Sequence, residues 1–470
     1  MKRSVAIIGA GISGLAAAYR LRRSALADGR ELELTVLDAA GRAGGVIGSL
    51  ASNGCLLETG PDSMLSEKPR GQQLCKELGL SGELIGTRES SRRSYIARGN
   101  RLIAVPEGFY LMAPAKLLPM LASDLFSPMG KLRVLLEPLV PAKRDGSDES
   151  LADFVRRRLG REALERVAQP MVAGIYTADP ERLSLRATMP RFLDMEKEHG
   201  SVVRGMRAKS SEMSAASGPR YSMFLSLASG MERLVSRLVE ELPSGTLRTG
   251  AAAQRISRTP GGWRVECSNG VFEADAVCLA LGAPDASRVL AGIDSELAGE
   301  LATINYASTA TVNLVYERSG ASRLPEAAGF VVPAAEGRAL IACTFVDKKF
   351  EGRAAPGTTV VRAFVGGALS PESLELSDDA MVEAVCRDLA RLTGLPDSPL
   401  QSLVYRHPAA MPQYEIGHLD RVGRIEAGAG QHRGLALAGN YFRGPGIPDC
   451  IDRAEQAAGS LYRDLFSGAY

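Results

Sequence analysis

The residues Val5 to Gly14, V-A-I-I-G-A-G-I-S-G, constrain the fold more than any other stretch of this chain. Val5–Ile8 reads as a short buried strand, and Leu15–Leu21 continues as an alanine-rich apolar helix. Between them Gly9, Gly11 and Gly14 are spaced as G-x-G-x-x-G. The first glycine permits a tight turn, the second lets backbone approach a pyrophosphate, and the third lets the helix pack on the strand. The turn Gly9-Ala10-Gly11-Ile12-Ser13-Gly14 then offers N–H groups and the positive end of a helix dipole to phosphates. Leu32–Leu37 reads as the next strand, and Asp38 at its end can accept from both hydroxyls of a ribose. Strand, glycine turn, helix and acid in register predict a dinucleotide-binding βαβ unit.

Four residues past Asp38 comes Arg42-Ala43-Gly44-Gly45. A plain nicotinamide domain has no use for a second glycine pair there. Gly44 and Gly45 would let a second backbone segment reach the cofactor, with Arg42 near its phosphates. R-x-G-G directly after the acid resembles the large FAD family of amine oxidases, phytoene desaturases and porphyrinogen oxidases, and it favours FAD over NAD.

At 470 residues the chain is long enough for two or three domains with a large core. A formal net charge of +2 leaves no electrostatic footprint for nucleic acid, so no such partner is expected. Seven cysteines stand singly without a C-x-x-C, as buried thiols of a reducing cytoplasm would. The four histidines, His199, His407, His418 and His432, are too widely separated to suggest a metal centre. The first strand begins within a few residues of Met1, which leaves no room for a signal peptide. These features predict a cytoplasmic protein.

The long apolar stretch Gly108–Val140 is interrupted by Lys116, Asp124, Lys131, Arg133 and Glu137 and divided by Pro114, Pro119 and Pro128. No membrane-spanning helix is expected from it. Its short amphipathic helices could lie in a membrane interface, peripheral on the inner face of the cell membrane, or cap a large apolar pocket. Both readings stay open.

Ser150 with Asp153 signals the start of a helix over Leu151–Leu159, and Glu162–Met171 also has helical spacing. The serine-rich Lys209–Pro219 region reads as a polar loop. Arg255–Ser257 and Trp263–Cys267 read as strands around a Gly261-Gly262 turn, followed by an Asn269-Gly270 hairpin signal and a buried strand over Ala276–Leu281. Thr311–Tyr316 and Val360–Val365 alternate as strands of a second sheet. Leu435–Ala438 leads into a glycine loop, Gly439–Gly446, and a helix from Pro448 to Leu465. The chain thus returns to its cofactor domain. The helix start near Ile447–Asp449 would turn its positive end toward the pyrimidine end of a flavin. The expected fold is α/β. A Rossmann-like FAD-binding domain takes 1–80, 220–300 and 406–470, a mixed-sheet substrate domain 81–107 and 301–405, and an inserted helical domain 108–219.

Four further segments carry a more specific resemblance: Glu58-Thr59-Gly60-Pro61-Asp62-Ser63, Gly174-Ile175-Tyr176-Thr177-Ala178-Asp179, Met411-Pro412-Gln413-Tyr414 with Gly417-His418, and Gly444-Pro445-Gly446-Ile447-Pro448-Asp449-Cys450-Ile451. Together they resemble the bacterial protoporphyrinogen/coproporphyrinogen oxidases. The resemblance implies non-covalent FAD and oxidation of a porphyrinogen to a porphyrin in heme biosynthesis. Molecular oxygen would take the electrons in three two-electron cycles, each yielding hydrogen peroxide. By position it implies FAD contacts at Gly9–Gly14, Asp38, Ala39, Arg42, Val46, Gly60, Pro61, Asp62, Ser63, Ala253, Gly444, Pro445, Gly446 and Ile447. Ala253 stands where the family usually has valine, Pro445 where small apolar residues are common, and His407 where tryptophan is frequent. Gly174 matches a glycine beside the flavin whose carbonyl would orient the substrate. Cys343-Thr344-Phe345 with Lys348-Lys349 and G-I-P-D-C-I-D look like the Gram-positive-type enzymes, which favour coproporphyrinogen.

A porphyrinogen is a flat apolar macrocycle with propionates at its rim, so it needs an apolar cleft with basic groups at the mouth. Phe330, Val331 and Phe345 are candidate walls, with Leu, Met and Phe from 108–195. Arg92, Arg93, Arg98 and Arg101 are candidate carboxylate partners. The resemblance singles out Arg93, in a register that also admits Ser94. A homodimer is compatible with all of this. Two other readings share the fold: an amine oxidase or carotenoid desaturase, for which Tyr441-Phe442 would supply aromatic rings, and a non-catalytic binding protein.

Overall fold

The structure, a computed structural model, describes residues 2–91, 93–216 and 223–466. Strand Arg3–Ile8 lies in the middle of a parallel sheet, with Val5 opposite Leu34 on one side and Ala276 on the other. Across the sheet the strands run Leu247–Arg248, Leu32–Leu37, Arg3–Ile8, Ala276–Leu279, Leu435–Leu437. Counted along the chain, that is the doubly wound order in which the direction of winding reverses between the first and fourth strands. A continuous apolar run suits strands covered on both faces. Val5 and Ile7 face the helices Ile12–Ala27 and Ile447–Phe466. Ala6 and Ile8 face Trp263 and the helices Ala283–Leu290 and Ser295–Ala302.

The second sheet has seven strands, with Tyr306–Glu317 held antiparallel between Gln401–Pro412 and Thr358–Gly366. Leu340–Phe345, Gly329–Val331, Ser94–Arg98 and Arg101–Ala104 extend it. Gln401–Pro412 stays paired as far as Pro412 opposite Tyr306, so it runs through residue 406, where the sequence suggested a return to the cofactor domain. One face of this sheet packs on helix Asp378–Thr393 through Phe330, Phe345, Met381 and Leu389. Val331, alternate to Phe330, packs toward the helical region instead.

In the helical region Ser150 Oγ accepts from the Asp153 N–H at 2.9 Å, as its capping signal predicts. The helix expected over Glu162–Met171 is divided into Arg161–Ala163, a π turn Leu164–Ala168, and Gln169–Tyr176. Pro170 has no N–H for a regular turn, which accounts for the widening before it. Lys209 is not loop: helix Val202–Ala216 takes in most of that region, and residues 217–219 lie outside the described residues. Met, Glu, Arg, Lys and Ala are strong helix formers and outweigh the serines there.

Candidate active site

The first glycine turn sits where the sheet's winding reverses. Gly9 has φ +103°, and a Cβ on it would lie 2.3 Å from the Ala280 carbonyl oxygen, at the end of the fourth strand. A Cβ on Gly14 would lie 1.8 Å from the Gly9 carbonyl oxygen. These two glycines therefore serve the fold itself. Gly11 differs: a Cβ there would meet no atom of the protein within 4 Å. Its missing side chain leaves open space at the helix start, where a phosphate group would approach. Asp38 braces the turn, accepting from Ala10 N–H at 2.6 Å and from Ala40 N–H at 2.8 Å. Ala251 N–H donates to the Asp38 carbonyl at 2.7 Å, which brings the segment leading to Ala253 beside the acid and Ala39.

A second segment lies against the first. Gly44 N–H donates to the Ala10 carbonyl at 2.8 Å, and Gly11 and Gly44 form a parallel bridge. Gly45 and the exposed Val46 follow at the same edge. The Arg42 guanidinium donates to the carbonyls of Ala43 at 3.0 Å and of Ile47 and Gly45 at 2.9 Å each. Arg42 therefore ties its own loop into shape, a role that spacing alone did not reveal. A third segment, Glu58–Ser63, packs on the second, since a Cβ on Gly60 would lie 1.9 Å from the Val46 carbonyl oxygen.

The fourth segment is the returning loop. Helix Ile447–Phe466 starts beside helix Ile12–Ala27, and the Cys450 thiol in its first turn donates to the Pro445 carbonyl at 3.9 Å. Burial pushes that thiol up to about 12, so it stays protonated. The Asp449 carboxylate fills the space beside Gly444, where a Cβ would come within 2.4 Å of it. Asp449 also accepts from Lys68 Nζ at 2.6 and 2.7 Å. Pro445, Gly446 and Ile447 complete this wall.

Gly174 is exposed in the last turn of helix Gln169–Tyr176, where carbonyls lack intrahelical donors. A Cβ there would lie 3.4 Å from Val331 Cγ1, so two of the candidate residues do come together. Phe345 does not join them. It is fully buried against Phe330, ring centroids 5.9 Å apart, in the core under helix Asp378–Thr393. Strand alternation sends it to the face away from Val331. Arg93 is exposed just before strand Ser94–Arg98, which lies between Gly329–Val331 and the edge strand Arg101–Ala104, and is within electrostatic reach of Glu107. Arg98 and Arg101 are exposed as well, and Arg92 lies outside the described residues.

Sequence reasoning missed the polar side chains that the second sheet sends to Glu58–Ser63. Asn313 Nδ2 donates to the Glu58 carbonyl at 3.2 Å, Thr311 Oγ1 to that of Thr59 at 2.8 Å, and Arg362 Nη1 to that of Gly60 at 2.9 Å. His407 Nε2 lies 2.8 Å from the Thr59 carbonyl. The available signal was polar residues inside apolar strands, Asn313 in T-V-N-L-V and Arg362 in V-V-R-A-F.

Tyr441 and Phe442 are buried and stacked at 4.5 Å, part of the core rather than an open aromatic cage. Among the described residues no His, Cys, Asp and Glu group could hold a metal ion. His418 is fully buried, with Nε2 2.9 Å from the Phe442 carbonyl, and burial lowers its ring from 6.5 to about 4. The folded ring is therefore neutral where the unfolded one takes up a proton. Its contribution to stability is complete above the unfolded value and is lost as pH falls from about 6.5 to about 4. Urea titrations of the parent and His418→Gln should diverge across that window by at most about 3 kcal/mol. Parallel pH profiles would contradict this.

Two glycine turns and two helix starts, converging where a doubly wound sheet reverses, define a dinucleotide-binding oxidoreductase fold. Residues 12–461 match the family model of flavin containing amine oxidoreductase. Coproporphyrinogen III oxidase of Bacillus subtilis is 34% identical over 472 residues, covering 99% of each chain. Protoporphyrinogen oxidase of Homo sapiens is 29% identical, covering 98% of each. A crystal structure from Exiguobacterium sp. 255-15 named "Putative protoporphyrinogen oxidase" superposes with TM-score 0.88 at 30% identity, covering 98% of this chain and 99% of that one. The chain belongs to the flavin-containing amine oxidoreductase family, and FAD is its cofactor. The open face of Gly11 beside Gly44, bounded by the Gly444–Ile447 loop, suits that cofactor.

Proposed function

We propose that this chain oxidises a porphyrinogen to the porphyrin, and takes coproporphyrinogen III in preference to protoporphyrinogen IX, with molecular oxygen as final acceptor. The observation that carries the reading is the end-to-end match to a coproporphyrinogen III oxidase at 34% identity. FAD supplies the acceptor for hydride leaving the macrocycle. Three turns remove six electrons and six protons, and three oxygen molecules leave as hydrogen peroxide. The chain's own part is to bind and orient. Gly9–Gly14, Asp38, Ala39, Arg42, Val46, Gly60–Ser63, Ala253 and Gly444–Ile447 hold the cofactor. Gly174 and Val331 face the macrocycle, the Gly174 carbonyl orienting it, and Arg93 meets a propionate. The three-part division read from the sequence is kept, with its last boundary moved beyond Pro412. Purified protein given each porphyrinogen should form fluorescent porphyrin, with the larger kcat/KM for coproporphyrinogen III. Equal rates would remove the preference, and no porphyrin from either would remove the function.

We also propose peripheral membrane contact through residues 117–140. What supports it is a group of exposed apolar side chains on neighbouring short helical segments: Leu118 at 81% exposure, Met129 at 72% and Leu139 at 76%. No helix among the described residues is long and apolar enough to cross a membrane. The protein should sediment with anionic lipid vesicles, and Leu118→Ser with Leu139→Ser should release it. Equal sedimentation of parent and double variant would contradict this.

A further inference from the structure

The arm Glu58–Ser63 rests on buried charges that phosphate binding does not require. Lys349, just past strand Leu340–Phe345, is buried and donates to both carboxylate oxygens of Asp62 at 3.0 Å and to Ser63 Oγ at 3.2 Å. Ser63 Oγ donates in turn to Asp62 Oδ1 at 2.6 Å. Arg362 Nη2 lies 3.9 Å from the same carboxylate, while its Nη1 holds the Gly60 carbonyl. Ser226 Oγ fixes the Asp62 carbonyl at 2.6 Å. The ammonium also lies 5.0 Å from the ring centroids of both Phe224 and Phe350. Burial works against the charged lysine and Asp62 works for it, while Lys349 and Arg362 hold the Asp62 carboxyl well below the usual carboxylate range.

A buried ion pair is a poor way to gain stability, because apolar residues of similar volume commonly do as well or better. What it supplies is direction. Three donors fix the Asp62 side chain and backbone, and the two hydrogen bonds at Ser63 Oγ set its rotamer. Everything that fixes this end of the arm comes from outside the glycine turns.

We propose that Lys349 is a positioning residue for the cofactor: acting through Asp62 and Ser63, it holds the Gly60–Ser63 arm in the one conformation that meets FAD. The proposal rests on the reading of that arm as a flavin contact. It also gives the second sheet a mechanical hold on the flavin site, so substrate-side strands and cofactor arm stay in register.

The test titrates apoprotein with FAD, following flavin fluorescence and visible bands, for the parent, Lys349→Met and Lys349→Met/Asp62→Asn. Urea unfolding of each apoprotein is measured alongside. Lys349→Met should weaken FAD binding about tenfold or more, because the displaced arm would lose one charge-assisted hydrogen bond to FAD, and should shift the flavin bands. The double variant no longer buries an unpaired carboxylate, so it should regain apoprotein stability without regaining FAD affinity. FAD binding within about twofold of the parent in both variants, or affinity that recovers together with stability, would overturn the proposal. If Lys349→Met does not fold, Lys349→Gln, which keeps a donor but no charge, takes its place with the same two outcomes. A parent apoprotein that takes up no FAD would overturn the flavin-contact reading itself.

Discussion

Gly11→Val is expected to leave the protein folded and to strip it of FAD. A Cβ at this position meets nothing of the protein within 4 Å, and Gly11 has φ −71° and ψ −179°, which valine adopts freely. As the cap of helix Ile12–Ala27 it exchanges glycine for a poorer cap, a cost of about 1 kcal/mol or less. The isopropyl group would instead fill the open space at the helix start that the proposed function gives to the phosphate oxygens. Losing two charge-assisted hydrogen bonds of about 1.5 kcal/mol each weakens binding roughly a hundredfold. Urea unfolding and FAD titration of the apoprotein read the two effects separately. Gly14→Ala is the control with the opposite outcome, because its Cβ would lie 1.8 Å from the Gly9 carbonyl oxygen and the helix could not close on the turn. A Gly11→Val protein that keeps its flavin would show that the phosphates lie elsewhere.

Arg353→Met should cost about 3–5 kcal/mol of stability, the usual price of leaving one buried charge without its partner. Arg353 and Glu58 are each about 1% exposed, with Nη1 and Oε1 3.7 Å apart. Arg353 also donates to Ser226 Oγ at 2.7 Å and to the Leu227 carbonyl at 2.8 Å. Burial raises the Glu58 carboxyl, while its hydrogen bonds to Ser49 and Met231 and the nearby arginines pull it down. Without Arg353 the balance tips further toward protonation. Adding Glu58→Gln to Arg353→Met should restore most of the loss. Urea midpoints of the three proteins check this. A loss below about 1 kcal/mol in the single variant would show that solvent reaches the pair.

The opening strand, turn and helix were legible because everything that shapes them is local. Val5–Ile8, the three glycines and Asp38 lie within one βαβ unit, and the structure moves only the ends of its elements. The short strand Leu247–Arg248 has no pattern of its own and exists only because Leu32–Leu37 has a free edge to pair with. Period-2 alternation revealed that Phe345 and Val331 lie in strands but not which face meets solvent, and Phe345 went to the core. Arg42 lies in the expected loop, yet three of its five N–H groups go to the carbonyls of Ala43, Gly45 and Ile47, which its position in the sequence does not show. Lys349, Arg353 and Arg362 could not be tied to Glu58–Ser63 from sequence, because nearly 300 positions separate them and only sheet pairing brings them together. A buried charge needs its partner in space, and spacing along the chain carries no record of that.

The proposed function requires a flavin bound against these four segments to take electrons from a porphyrinogen. Mixing FAD-loaded protein with coproporphyrinogen III in the absence of oxygen tests it most directly. The yellow flavin absorption should bleach as porphyrin fluorescence grows, and should return when oxygen is admitted. Flavin that stays oxidised with both coproporphyrinogen III and protoporphyrinogen IX, in protein that demonstrably carries FAD, would contradict the account.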